Sequence, residues 1–115
     1  ACPTPHSDER VVESESLTFV YRFSPTSPRI GQPFDLGVRV CDQAGTDFAG
    51  RLTATAVMPA HGHGMNYRLE PSTLQAGAST LRGFLFHMPG RWELTLVIES
   101  ETKTERVRFE YVITP

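Results

Sequence analysis

The chain has 115 residues, with 11 lysines and arginines against 13 aspartates and glutamates and a formal net charge of −2. This length suits one hydrophobic core and is too short for two domains. The charge balance gives no support for nucleic-acid binding, which requires a basic face or stripe. No apolar run approaches the roughly 18–20 residues that a membrane-spanning helix requires. The sequence therefore predicts one soluble domain, and a removed upstream signal or anchor stays compatible with it.

The N-terminal stretch differs in composition from the rest of the chain. Residues 1–15 contain two prolines and many polar side chains, which is typical of an extended arm loosely attached to a domain. We therefore place the start of the folded domain at residue 16 and extend it to residue 115.

Cys2 and Cys41 are the two cysteines of the chain, and they have three interpretations. A disulfide would close a loop of about 40 residues and stabilise the fold by roughly 3–4 kcal/mol in the chain-entropy model. Alternatively, Ala1-Cys2 is what remains around the cleavage site of a bacterial lipoprotein, with lipid on Cys2, or the two thiols are unrelated. The first two interpretations both favour a protein exported from the cytoplasm.

Strict alternation of apolar and polar side chains begins at Leu17 and predicts half-buried β-strands. Three such strands precede residue 60, and prolines or an Asp/Gly turn end each of them. Their ranges and predicted inward residues are 17–23 (Leu17, Phe19, Tyr21, Phe23), 34–40 (Phe34, Leu36, Val38, Val40) and 52–58 (Leu52, Ala54, Ala56, Met58).

The second half of the chain continues the alternation. Met65, Tyr67 and Leu69 alternate first, and Pro89-Gly90 predicts a two-residue turn that joins two neighbouring strands directly. The strand before that turn covers about 80–88, with Phe84, Phe86 and Met88 on one face and Leu81, Leu85 and His87 on the other. The last two strands turn inward Trp92, Leu94, Leu96 and Ile98, and then Val107, Phe109, Tyr111 and Ile113, with a turn over 99–103 between them.

These strands define the expected fold class. No segment sustains the 3.6-residue period of an amphipathic helix. About seven short strands with turn signals every 8–12 residues predict an all-β, immunoglobulin-like antiparallel β-sandwich. The Cys–Trp–Cys pattern of antibody domains is missing, so the prediction extends only to the sandwich architecture.

Methionine and histidine are concentrated in two short windows, residues 58–65 and residues 87–88. These ten positions hold all three methionines and three of the four histidines, whereas random placement would put about 0.6 of the seven there. Imidazole nitrogen and thioether sulfur are ligands that suit copper, and Cu(I) more than Cu(II). Zinc is less favoured, because its structural sites use four Cys or His ligands.

The spacing within the windows predicts a ligand set. If residues 61–65 are extended, His61, His63 and Met65 share one face, and Gly62 and Gly64 leave room between them. The shell is completed by Met58, His87 or Met88, although a regular strand lets only one of the last two reach a common point. Each element also has a structural explanation: Met58 and Met88 are in phase with core residues, and His87 would be hydrogen-bonded beside Trp92.

The motif Met58-Pro59-x-His61-x-His63-Gly64-Met65, followed by Met88-Pro89-Gly90-x-Trp92-x-Leu94, resembles the YtkA-like/FixH-like domain of exported bacterial proteins. The resemblance covers about residues 30–100 and includes Val40-Cys41-Asp42-Gln43-Ala44-Gly45. It implies copper handling outside the cytoplasm, since some relatives are linked to the maturation of haem–copper oxidases. The chain lacks the membrane helix of FixH-type members.

The sequence thus predicts an exported, periplasmic or otherwise extracytoplasmic copper-binding protein, a copper chaperone or a resistance or homeostasis factor. Its partners would be copper, and another exported copper protein or an oxidase assembly factor, with contact to a membrane only through lipid on Cys2. No Gly-x-Ser-x-Gly or His-Glu-x-x-His motif is present, so we expect no enzyme and assign no catalytic residue. The alternative is an immunoglobulin-like interaction module in which the His/Met motif is structural.

Overall fold

A computed structural model of the protein describes residue 2, residues 5–64 and residues 69–114, with His63 described in its backbone alone. Over these residues the chain forms antiparallel β-strands in two sheets. The strands are β1 (Arg10–Glu13), β2 (Leu17–Ser24), β3 (Phe34–Asp42), β4 (Arg51–Met58), β5 (His63–Gly64), β6 (Ser72–Thr73), β7 (Ala78–Phe84), β8 (Gly90–Glu99) and β9 (Thr104–Ile113).

The two sheets pack face to face as a sandwich. The first sheet has the order β1-β2-β3-β7, and the second has the order β5-β4-β8-β9 with β6 pairing to β4. Seven of these strands have four residues or more, and two have two residues each. The prediction of an all-β, immunoglobulin-like sandwich of about seven strands is therefore confirmed.

Alternating apolar residues fill the space between the sheets, as predicted for five strands. Along β8 every second residue from Trp92 to Ile98 is fully buried. Tyr21 of β2 stacks on Phe109 of β9 with ring centroids 3.8 Å apart, which joins the two layers directly. Fully burying a large apolar side chain contributes roughly 1.5–3 kcal/mol, so this core accounts for the main stabilisation of the fold.

The strand predicted near 80–88 is wrong in its end and its phase. Leu81 and Phe84 are both buried, although a regular strand places residues three apart on opposite faces. Gly83 has a φ of +88°, and the pairing shifts register between Phe34 and Leu36. These features mark a bulge, which changes the face that the strand presents to the core.

The predicted direct turn at Pro89-Gly90 is also wrong. β7 belongs to the first sheet and β8 to the second, so residues 85–89 cross from one layer to the other. Packed sheets lie about 10 Å apart, and a two-residue turn cannot span that distance. The crossing places Phe86 in the core, where its ring stacks on Trp92 at 4.5 Å.

The N-terminal segment, expected as an arm, is attached along the first sheet. β1 pairs with β2 from Arg10↔Tyr21 to Glu13↔Thr18. Cys2 is disulfide-bonded to Cys41, with Cα atoms 5.7 Å apart, which confirms the predicted disulfide. This bond uses the sulfur that the lipid interpretation would need, so the two states of Cys2 exclude each other.

Glu105 of β9 joins the second sheet to the turn between β1 and β2. Its carboxylate accepts hydrogen bonds from the Ser14 hydroxyl and from the Ser16 hydroxyl and amide, and Lys103 Nζ lies 3.8 Å away. Burial opposes the charge, but the hydrogen bonds and the lysine outweigh it and lower the pKa of Glu105 to about 2. The ionised carboxylate therefore stabilises the folded state.

Replacing Glu105 with glutamine is expected to lower the free energy of unfolding by about 1–3 kcal/mol at pH 7, because hydrogen bonds to a charged acceptor are lost. A lowered pKa contributes stability that is present above the unfolded value near 4.5 and is lost as pH falls towards 2. Urea denaturation at pH 7 and pH 3 should thus show a smaller difference from the parent at pH 3. Glu101→Gln, at an exposed carboxylate of the neighbouring turn, is the control and should match the parent at both pH values.

Candidate metal site

The first window begins where β4 ends. Proline cannot donate to a strand ladder, so β4 stops at Met58 and the chain turns through residues 59–62. The amides of His61 and Gly62 donate to Met58 O at 3.1 and 2.9 Å, and Gly62 has a φ of +66° that favours glycine. β5 then returns along β4, with His63 opposite Met58 in the register.

The geometry at His61 differs from the extended arrangement expected for residues 61–65. His61 lies in the turn and is exposed, and only His63 and Gly64 form a strand. The expectation of one shared strand face therefore fails at His61, because the glycine-containing turn starts before the strand does. Met65 and the side chain of His63 lie outside the described part of the structure.

Met58, the first residue of the first window, lies next to Gly90, two residues after the second window. It is 2 % exposed and belongs to the hydrophobic core. A Cβ atom added to Gly90 would lie 2.7 Å from Met58 Cε, so the methionine fills the space that the glycine leaves open. This contact follows from the pairing of β4 with β8, whose register brings the end of β4 to the start of β8.

The second window lies on the crossing segment at the same end of the sandwich. His87 is half-buried, with its ring 5.7 Å from the Trp92 ring in an edge-on arrangement. Met88 packs against the core as a partly buried side chain, and its carbonyl oxygen accepts a hydrogen bond from Trp92 Nε1 at 3.0 Å. Trp92 therefore holds the backbone of this window in place.

The fold places parts of both windows at one end of the sandwich. It brings Met58 against Gly90, two residues from Met88, and places the exposed turn with His61 directly after Met58. Because residues 87–88 lie outside a regular strand, the alternation that would prevent His87 and Met88 from reaching a common point does not apply. Among the described residues, no three His, Cys, Asp or Glu side chains are grouped as a metal site; that finding does not concern methionine sulfur.

Comparison with known proteins found no match for this chain. No protein-family model matches the chain, and no curated protein or solved structure matches it significantly. Within the part of the chain that is described, no helix has the length and apolar character needed to cross a membrane.

Gly90 lies beside the candidate site, and sequence reasoning placed it in a turn and in the family motif but gave it no role in the site. Its importance lies in the missing side chain, which admits the Met58 methyl group. The sequence signal, a glycine between Pro89 and Arg91, is shared by ordinary turns. Only the pairing of β4 with β8 shows that this glycine faces Met58.

Met58 can be tested for packing and for ligation separately. Met58→Leu keeps the volume and should change the free energy of unfolding by less than about 1.5 kcal/mol, whereas Met58→Ala leaves a cavity and should cost about 2–5 kcal/mol. If the thioether is a ligand, Met58→Leu weakens Cu(I) binding in a stable protein. Urea denaturation together with a Cu(I) titration checks both effects, and unchanged binding in Met58→Leu would assign Met58 to the core alone.

Proposed function

We propose that the protein is an exported copper-binding protein, a copper chaperone or a copper resistance or homeostasis factor, with Cu(I) as its cargo. The ligands are His61, His63 and Met65, and Met58, His87 or Met88 completes the shell. The contact between Met58 and Gly90 carries the proposal, because it places the first residue of the first window next to a residue that lies two positions after the second window.

The donor types support Cu(I) over other ions. Thioether sulfur is a soft ligand that favours Cu(I), and imidazole binds it as well. A thioether carries no proton, so only the histidines compete with protons, and a free imidazole has a pKa of about 6.5. Copper affinity should therefore weaken as pH falls below about 6, since binding needs the neutral ring.

The disulfide and the sequence resemblance support a location outside the cytoplasm. Disulfides persist in oxidising compartments and are rare in the cytosol, and Cys2 is bonded to Cys41. The His/Met motif resembles that of YtkA-like/FixH-like domains, which supports another exported copper protein or an oxidase assembly factor as the partner. The proposal therefore includes both kinds of partner.

A second candidate is an interaction module in which the two windows are structural. Two observations favour it: Met58 is buried in the core, and Met88 supplies the acceptor for the Trp92 indole. In that case Met58, Met88 and His87 would pack the end of the sandwich, and the exposed turn at His61 would carry no ion.

The copper content of protein purified without added metal separates the two candidates at the lowest cost. The copper proposal predicts that the purified protein contains copper at up to one ion per chain. Addition of Cu(I) should raise the content to one ion per chain. Trp92 offers an independent readout, because it is the only tryptophan and its ring lies 5.7 Å from that of His87. Ag(I), a redox-inert analogue of Cu(I), should change its emission at one equivalent; no response and no bound copper would favour the interaction module.

A further inference from the structure

The disulfide lies at the opposite end of the strands from the two windows. The pair Leu17↔Asp42 closes one end of the β2–β3 ladder beside Cys41, whereas Phe34 at the other end of β3 pairs with Phe84, close to the second window. Chemistry at the disulfide is therefore separate from the proposed copper site and does not rest on it.

Cys41 is held rigidly by the sheet. Its backbone pairs with Thr18 in the β2–β3 ladder and bridges to Asp47 on the other side. The residue is 2 % exposed. The Cys41 sulfur is thus anchored and shielded from an approaching reagent.

Cys2 is in a different environment. It is partly exposed and lies outside the strands, and it reaches the sheet through its sulfur, which is bonded to Cys41 and lies 3.8 Å from Thr18 O. The next described ties of the N-terminal segment are Asp8–Arg22 at 3.5 Å and Glu9–Arg39 at 3.0 Å. Among the described residues, the bond to Cys41 is thus the first tie of the N-terminal segment to the sheet, ahead of those ion pairs.

We propose that this disulfide is a thiol–disulfide exchange site that opens in one direction, with an external thiolate attacking Cys2 and expelling Cys41. Exchange requires a thiolate to approach the sulfur that it attacks, so access decides between the two sulfurs. The attack forms a mixed disulfide between the reagent and Cys2 and leaves the electron pair on Cys41 as thiolate, which takes a proton from water. The second thiol of a dithiol reductant then displaces Cys2, and the reductant leaves as its own disulfide.

Opening of the disulfide therefore has a local effect and does not unfold the domain. The ion pairs of Asp8 and Glu9 and the β1–β2 ladder remain, so the described segment from Asp8 onward stays on the sheet when the bond opens. Cys41 lies on the outer face of the first sheet, out of phase with the buried residues Val38 and Val40 that face the core. The core is therefore unchanged, and the partner that fits this site is a dithiol oxidoreductase or a small thiol such as glutathione.

The test uses the oxidised full chain and reduced glutathione under anaerobic conditions. The reaction is stopped early with N-ethylmaleimide, and the singly modified chain is mapped by peptide mass spectrometry. Glutathione is expected on Cys2 and maleimide on Cys41, with a preference of about tenfold or more for this arrangement. Glutathione on Cys41, or an even distribution, would overturn the proposal.

A matched pair of single-cysteine variants tests the same difference in access without the Cys2–Cys41 bond. The free Cys2 of Cys41→Ser should react with a chromogenic disulfide reagent about tenfold faster than the free Cys41 of Cys2→Ser, because a shielded thiol reacts slowly. The emission maximum of the buried Trp92 should be the same in both variants, which shows that both are folded. Equal reaction rates in two folded variants would contradict the proposal.

Discussion

Replacing both His61 and His63 with alanine is expected to reduce Cu(I) affinity by more than about a hundredfold. Loss of a group that only supports a metal ligand already lowers metal affinity by about 10–100-fold. The fold should persist, because His61 lies exposed in a turn between β4 and the two-residue β5. Competition with a chromogenic Cu(I) chelator measures the affinity, and far-ultraviolet circular dichroism with Trp92 emission reports the fold.

His6→Ala is the matched control for that double variant. His6 is exposed and lies in the N-terminal segment, away from both windows, so its loss should leave the affinity unchanged. A double variant that binds Cu(I) as tightly as the parent would make the windows structural, and the interaction module would then be the better account.

Loss of the disulfide is expected to lower the free energy of unfolding strongly. Cys2 and Cys41 are 39 residues apart, and a closed loop of this size is worth roughly 3–4 kcal/mol in the chain-entropy model. Typical domains have a total stability of about 5–15 kcal/mol, so this is a large fraction. Urea denaturation with and without a reductant should show a lower midpoint for the reduced protein.

The double variant Cys2→Ala/Cys41→Ala is the control for the disulfide prediction. Its denaturation midpoint should match that of the reduced parent and should not respond to the reductant. A parent protein whose midpoint is the same with and without reductant would contradict the prediction. Cu(I) affinity should be unaffected by the loss, because the windows lie at the other end of the strands.

Alternation of apolar side chains predicted the strands that have one buried face. β2, β3, β4, β8 and β9 follow the two-residue period closely, so sequence was sufficient to locate them. β1 and β6 were not predicted, because a strand of two to four residues has too few positions to show a period. The end of β7 was missed because the bulge at Gly83 breaks the period that a regular strand would keep.

The candidate site could be predicted in its residue types but only partly in its geometry. The clustering of Met and His residues was visible in sequence, and the disulfide between Cys2 and Cys41 was one of three interpretations of the two cysteines. The role of Gly90 depends on β4 pairing with β8, a long-range arrangement that no local pattern contains. The turn that places His61 outside β5 depends on the pairing of His63 with Met58, which is likewise invisible to strand periodicity.

X-ray absorption at the copper edge, on protein loaded with one equivalent of Cu(I), tests the central claim most directly. A site shared by both windows predicts one copper per chain with imidazole nitrogen and thioether sulfur in the same shell, and a smaller nitrogen contribution in His61→Ala/His63→Ala. The disulfide keeps Cys2 and Cys41 from contributing sulfur, so any sulfur ligand comes from methionine. A shell that lacks either nitrogen or sulfur would contradict the account. Copper that washes off the folded protein would contradict it as well.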